Sequence, residues 1–197
     1  MNTDDITREI DGLRERLVAI RHDLHRHPEL GFEERRSQGV VREWLEEHGY
    51  SPRVSAQTGL IADLRPGGEP TIALRADMDA LPMQELSEHS YRSTVDNHMH
   101  ACGHDAHTAI ALTTARLLRQ LPPPRRGTIK LVFQPAEEVG GGAERMIAEG
   151  VLDDPRVDAA FGLHVWSGLE TGKMSITEGP VMASVDEFRV RVIGQGG

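Results

Sequence analysis

The chain is 197 residues long, about 1.3 times a typical domain of roughly 150 residues, so it holds one large domain, or one domain and part of another. Hydrophobic residues make up 38% and the net charge is −9. The first supplies a core and excludes wholesale disorder; the second argues against duplex nucleic acid or an anionic membrane surface as partner. The single cysteine, Cys102, excludes a disulfide framework and makes a reducing compartment the simpler expectation.

The acidic start Met1-Asn2-Thr3-Asp4-Asp5 has no apolar run behind it, so no secretory signal is visible. No apolar run nears the roughly 18 residues of a membrane span, and the expected location is the cytoplasm. Ile6, Ile10, Leu13, Leu17, Ile20 and Leu24 recur at helical spacing and predict an amphipathic helix that ends before Pro28. A second helical pattern runs from about Glu33 to His48 and stops at Gly49. Gly59–Leu64 and Thr71–Leu74 are short apolar runs beside Gly or Pro and read as strands. Ala106–Leu121 is helical again, closed by Pro122-Pro123-Pro124. Thr128–Phe133 reads as a strand, Ala143–Glu149 as a short helix and Ala159–Val165 as another strand. Helices alternating with buried strands predict an α/β fold, a mostly parallel mixed sheet flanked by helices.

At the end of the chain, Phe188, Val190 and Val192 alternate with Arg189 and Arg191, a half-buried strand pattern. The expected organisation is residues 1–184 as the N-terminal part of one domain and 185–197 as the first strand of a second.

Four polar clusters fall at strand ends or a helix start. They are Arg75-Ala76-Asp77-Met78-Asp79, His100-Ala101-Cys102-Gly103-His104-Asp105-Ala106-His107, Gln134-Pro135-Ala136-Glu137-Glu138 and Gly162-Leu163-His164. Open α/β sheets bind ligands outside the carboxyl ends of their strands, so parallel strands would bring these clusters to one crevice. Cys102 and His104, two apart, can grip one cation through sulfur and nitrogen. Glu137 and Glu138 after a strand can divide two tasks, one holding a cation and the other taking a proton from the attacking water; two acids at a helix N-terminus are the plainer alternative. Asp77 and Asp79 can orient a ligating imidazole, or form a solvated turn. His164 between Leu163 and Val165 gains meaning only from convergence. His22, His25 and His27 suit the end of a helix. Gly140-Gly141-Gly142 lacks a P-loop lysine and reads as a turn.

As an ordered set, these clusters resemble the M20 metallopeptidase family, most closely its amidohydrolase branch of hippurate hydrolases, N-acyl-amino-acid deacetylases and auxin-conjugate hydrolases. Arg21-His22-Asp23-Leu24-His25-Arg26-His27-Pro28-Glu29 and Leu74 to Pro82 complete the match, which covers nearly the whole chain. The resemblance implies a zinc-exopeptidase-like catalytic domain with two divalent metal ions, zinc, manganese, nickel or cobalt. It implies Cys102, His104, Glu138 and His164 as metal ligands and Glu137 as general base, with Asp77, Asp79, Asp105 and His107 as orienting groups. The implied substrate is a small-molecule N-acyl amino acid or a short peptide, with no nucleic acid or membrane partner. The parent is expected to be a homo-oligomer, a dimer formed through a lid domain of which Val190–Gly197 resembles the opening strand. On this reading the chain lacks one further histidine ligand, the lid and part of the sheet, and by itself is inactive. Asn97-His98 stands where the family more often has a glycine-containing turn before Met99. The rival reading is a non-catalytic metal- or peptide-binding module on the same fold.

Overall fold

The computed structural model describes residues 3–121, 126–182, 184 and 188–196, with backbone alone at 65–67. It divides into two units, Met1–Val165 and Trp166–Gly197.

The first unit is built in chain order. Helix α1 spans Thr3–Arg26, with Asp4 and Asp5 in its first turn and His25 and Arg26 in its last, charges that complement the helix dipole at both ends. Helix α2 spans Arg35–Glu47, and Gly49 turns the chain at φ 76° just after it. Strands β1 (Arg53–Ser55), β2 (Gly59–Gly67) and β3 (Thr71–Asp77) follow, then helix α3 (His104–Gln120), β4 (Gly127–Gln134), α4 (Gly142–Ala148) and β5 (Ala159–Gly162).

The strands form one mixed sheet in the order β1-β2-β4-β3-β5. β1 with β2 and β2 with β4 are antiparallel; β3 runs parallel to β4 and to β5. The parallel character expected from the sequence is thus confined to β4-β3-β5, which carries the polar clusters.

Strand alternation sorts the core into two layers. Leu60, Ala62, Leu64, Ala76, Leu131 and Phe133 pack with Val41, Trp44, Leu45 and Leu112 of the helices. Ile61, Ala73 and Val132 face the other way, against Met146 and Val151. Two buried polar links cross the helical layer: Trp44 Nε1 donates to the Leu112 carbonyl (2.9 Å) and the Tyr50 hydroxyl to that of Ala115 (2.8 Å). On the opposite face Lys130 is fully buried. Its ammonium donates to the carbonyls of Val151 (2.5 Å), Asp154 (3.0 Å) and Pro155 (3.1 Å) and so closes the loop before β5.

Two expectations change. The strand expected over Ala159–Val165 ends at Gly162, because the Val165 N–H is taken by His107 Nε2 (2.9 Å) instead of a strand partner. That strand is also exposed, not buried. The Pro122-Pro123-Pro124 stop lies outside the described residues; α3 has already ended at Gln120.

The second unit holds no helix or strand among its described residues. Lys173 pairs with Glu170 (2.6 Å). Phe188, Val190 and Val192 are exposed and lie outside any assigned strand. Residues 185–187 and 197, within the expected lid strand, lie outside the described residues. No helix among the described residues is long and apolar enough to cross a membrane.

Candidate metal centre

The register places the clusters together. Asp77 ends β3 opposite Gln134 at the end of β4, and Gly162 at the end of β5 pairs with Arg75. Three chain segments therefore leave the sheet at one edge: Met78-Asp79, Pro135 to Glu138, and Leu163-His164. The start of α3 meets them there. Gly103 caps it with φ 88°, a left-handed conformation that glycine adopts without cost. A Cβ at Gly103 would also collide with Val165 Cγ2, so the Cys102–His104 turn can press against the segment carrying His164.

Cys102 Sγ lies 3.3 Å from His164 Nε2. His104 Nε2 lies 3.6 Å from Asp77 Oδ2 and 3.7 Å from Glu138 Oε1. Three groups have donor atoms within 4.8 Å of one another: Cys102, His104 and His164; His104, Glu137 and Glu138; Asp77, His104 and His107. His104 is common to all three, so the four clusters converge on one imidazole.

Hydrogen bonds assign a direction to each ring. His104 Nδ1 donates to the Asp79 carbonyl (2.8 Å), so in the neutral ring, the form that ligates a cation, Nε2 is the acceptor. With no cation bound, burial pushes the ring's pKa down, but the Asp79 hydrogen bond and the charges of Asp77, Asp79 and Glu138 outweigh it and raise it, favouring the charged ring. Nε2 is buried and has no hydrogen-bond partner, as has Glu138 Oε1. Buried polar atoms are normally paired, so an unpaired imidazole nitrogen facing an unpaired carboxylate oxygen fits a cation between them. His107 differs. Its Nε2 accepts from Val165, so its Nδ1 donates to Asp77 Oδ1 (2.6 Å); both nitrogens are used within the protein. Asp79 accepts the Glu138 N–H (2.9 Å) and thereby fixes the acid pair. A carboxylate or carbonyl behind each ligand is the usual means of orienting a metal site.

The charges are set by these contacts. Burial pushes the Asp77 carboxyl up, but the His107 hydrogen bond and the charges of His104 and Arg75 outweigh it and hold it down at about 2. Burial, reinforced by Glu138 beside it, pushes the Cys102 thiol up to about 12. A thiol, imidazoles and carboxylates suit zinc, cobalt, nickel or manganese, and the donor set by itself does not choose.

Asp105 does not join this cluster. Consecutive helix residues point roughly 100° apart, and Asp105 turns toward α1. There it accepts from His25 Nδ1 (2.9 Å) and Arg21 Nε (3.2 Å). His100 is buried with neither ring nitrogen hydrogen-bonded, and burial lowers it to about 4. Asn97 has φ 58°, the left-handed turn for which glycine is the common choice. Sequence reasoning passed over Glu34, which is fully buried and hydrogen-bonded to the turn before Glu137.

A mixed sheet with helices on both faces carries a Cys/His/Glu cluster at its parallel edge that could hold a metal ion. The family model for peptidase family M20/M25/M40 matches residues 73–194: the chain belongs to this family. It is 46% identical over 188 residues to an N-acetylcysteine deacetylase of Bacillus subtilis, covering 92% of this chain and 48% of that protein. It is 47% identical over 182 residues to the IAA-amino acid hydrolase ILR1-like 4 of Arabidopsis thaliana, covering 92% of this chain and 41% of that protein. Among solved structures, the Bacillus subtilis YxeP protein, described as a dinuclear metal-binding peptidase from the M20 family, superposes with a TM-score of 0.81 at 43% identity. That match covers 86% of this chain and 48% of the other. The chain thus spans about half the length of the curated relatives it matches.

Proposed function

We propose that this chain carries the metal-binding half of an amidohydrolase that cleaves the amide bond of N-acyl amino acids or short peptides, releasing a carboxylic acid and a free amino group. The observation that carries the reading is the meeting of Cys102, His104 and His164 with Glu137 and Glu138 around one buried imidazole. Similarity to proteins named for deacetylating N-acetylcysteine and hydrolysing IAA-amino acids supports the substrate class.

Cys102, His104, Glu138 and His164 would hold the cations, two divalent ions in the complete site. When bound, such ions act as Lewis acids that acidify water and polarise a carbonyl. Glu137 is the exposed member of the acid pair, whereas Glu138 turns toward His104. Glu137 therefore takes the proton of the water whose oxygen bonds to the acyl carbon. It then hands that proton to the nitrogen as the C–N bond breaks. Asp77 and His107 keep the ligand rings in place.

The test is hydrolysis of N-acetyl- and N-benzoyl-amino acids, with and without a chelator, by the complete enzyme of which this chain is the metal-binding half and by its Glu137→Ala variant. Expected are turnover abolished by chelation and lowered at least about a hundredfold by the substitution, with cation affinity retained. Turnover indifferent to both treatments would contradict the proposal, and ligand binding without turnover would favour the binding-module reading.

A further inference from the structure

We propose that Glu34, outside the cation cluster, is a positioning residue that clamps the Pro135-Ala136 turn and thereby fixes where Glu137 and Glu138 stand; the catalytic sense of this rests on the function proposed above. The acid pair follows β4 after a two-residue turn. Ala136 in that turn sits at φ 48°, a left-handed conformation that costs a non-glycine residue free energy. Something must hold it there, and Glu34 makes the contact.

Glu34 lies just before α2 and is fully buried, a place where a carboxylate survives only if its oxygens are satisfied. Oε1 accepts the Ala136 N–H (2.8 Å) and Oε2 accepts the Thr58 hydroxyl (2.5 Å). Each oxygen thus has one partner, and one of them is the strained residue itself. Asp79 holds the Glu138 N–H from the site side (2.9 Å). Two buried carboxylates therefore grip the backbone on both sides of Glu137. Packing leaves the turn little slack: a Cβ at Gly31 would approach Ala136 Cα to 3.0 Å, and one at Gly59 would meet Pro135 Cδ at 2.7 Å.

If the clamp is lost, Ala136 relaxes toward right-handed backbone and the two acids swing away from His104. A glycine at 136 removes the reason to relax, because glycine accepts positive φ freely. This separates a clamp from mere core packing. Four chains are compared: the parent, Glu34→Ala, Glu34→Gln and the double variant Glu34→Ala/Ala136→Gly. Amide hydrogen exchange is read for the peptide spanning residues 134–139, and cobalt(II) affinity by titration.

In Glu34→Ala, exchange in that peptide is expected to rise while β2 and α3 stay protected, and cobalt(II) affinity to fall about tenfold or more, the usual loss when an orienting partner is removed. Glu34→Gln, which keeps an acceptor for the Ala136 N–H, should stay near the parent. The double variant should regain most of the affinity. Unchanged exchange at 134–139 in Glu34→Ala would overturn the clamp, and so would a loss spread over the whole chain that Ala136→Gly does not repair. Failure of the parent to bind cobalt(II) would instead sink the metal-centre reading, while the exchange comparison still decides whether Glu34 holds the turn.

Discussion

Asp77→Asn removes one buried charge while keeping the side chain's shape and its acceptor toward His107. In the folded chain the carboxyl titrates at about 2, against an ordinary value of 3.8. A group whose pKa is depressed by folding contributes stability that is full above its unfolded value and lost as pH falls through the folded one. The gap, at about 1.4 kcal/mol per pH unit, is worth on the order of 2 kcal/mol. Asp77 is 1% exposed, so solvent does little to screen it. In a chain of this size that energy corresponds to a melting temperature lower by about 4–8 °C at neutral pH. Thermal unfolding of both chains is followed in the presence of a chelator, so that no cation competes for the site. The two curves should lie apart at neutral pH and close on each other between about pH 4 and pH 2, as acid titrates Asp77 in the parent. A gap that does not change with pH, or no gap at neutral pH, would refute the claim that the charge is held by His107, His104 and Arg75.

Cys102 is a thiol at neutral pH, since burial and then Glu138 push it up to about 12, yet the ligand form is the thiolate. Cation binding should therefore release about one proton from this residue and tighten as pH rises; calorimetry in buffers of different ionisation heat measures it, and Cys102→Ser should abolish that release. Tyr50→Phe deletes the buried hydrogen bond to the Ala115 carbonyl with little change of shape. It should cost about 1 kcal/mol in urea unfolding without altering cation affinity.

Local signals in the sequence were reliable wherever a single segment decides its own structure. The spacing from Ile6 to Leu24 and the break at Pro28 located α1. The apolar runs around Leu131 and Leu74 located β4 and β3. Pairing was harder to read. β1 is three residues long and exists by its register with Gly59–Ile61, information that Arg53-Val54-Ser55 does not carry. The antiparallel insertion of β2 beside β4 is likewise a property of the sheet. Alternation over Phe188 to Val192 describes how a strand would present its faces, but a ladder also needs a pairing partner, which the segment's own sequence does not name. In the site, the residues that cluster were legible because chemistry-bearing types sit at strand ends. Direction was not. Asp105 is adjacent to His104 yet faces α1, and His107, three on, returns to the site side, as helical geometry requires. Glu34 stands among Glu33, Arg35 and Arg36, and nothing local marks it as the charged residue that is buried.

The convergence of Cys102, His104, Glu138 and His164 is tested most directly by titrating the chain with cobalt(II) and following the thiolate-to-metal charge-transfer band. The band should appear in the parent and vanish in Cys102→Ser. Its midpoint should move to higher cobalt(II) in His104→Ala, Glu138→Ala and His164→Ala, and stay in place in His98→Ala, whose Nδ1 donates to the Asp96 carbonyl of its own turn. Cobalt(II) binding that ignores the loss of both Cys102 and His164 would contradict the shared site.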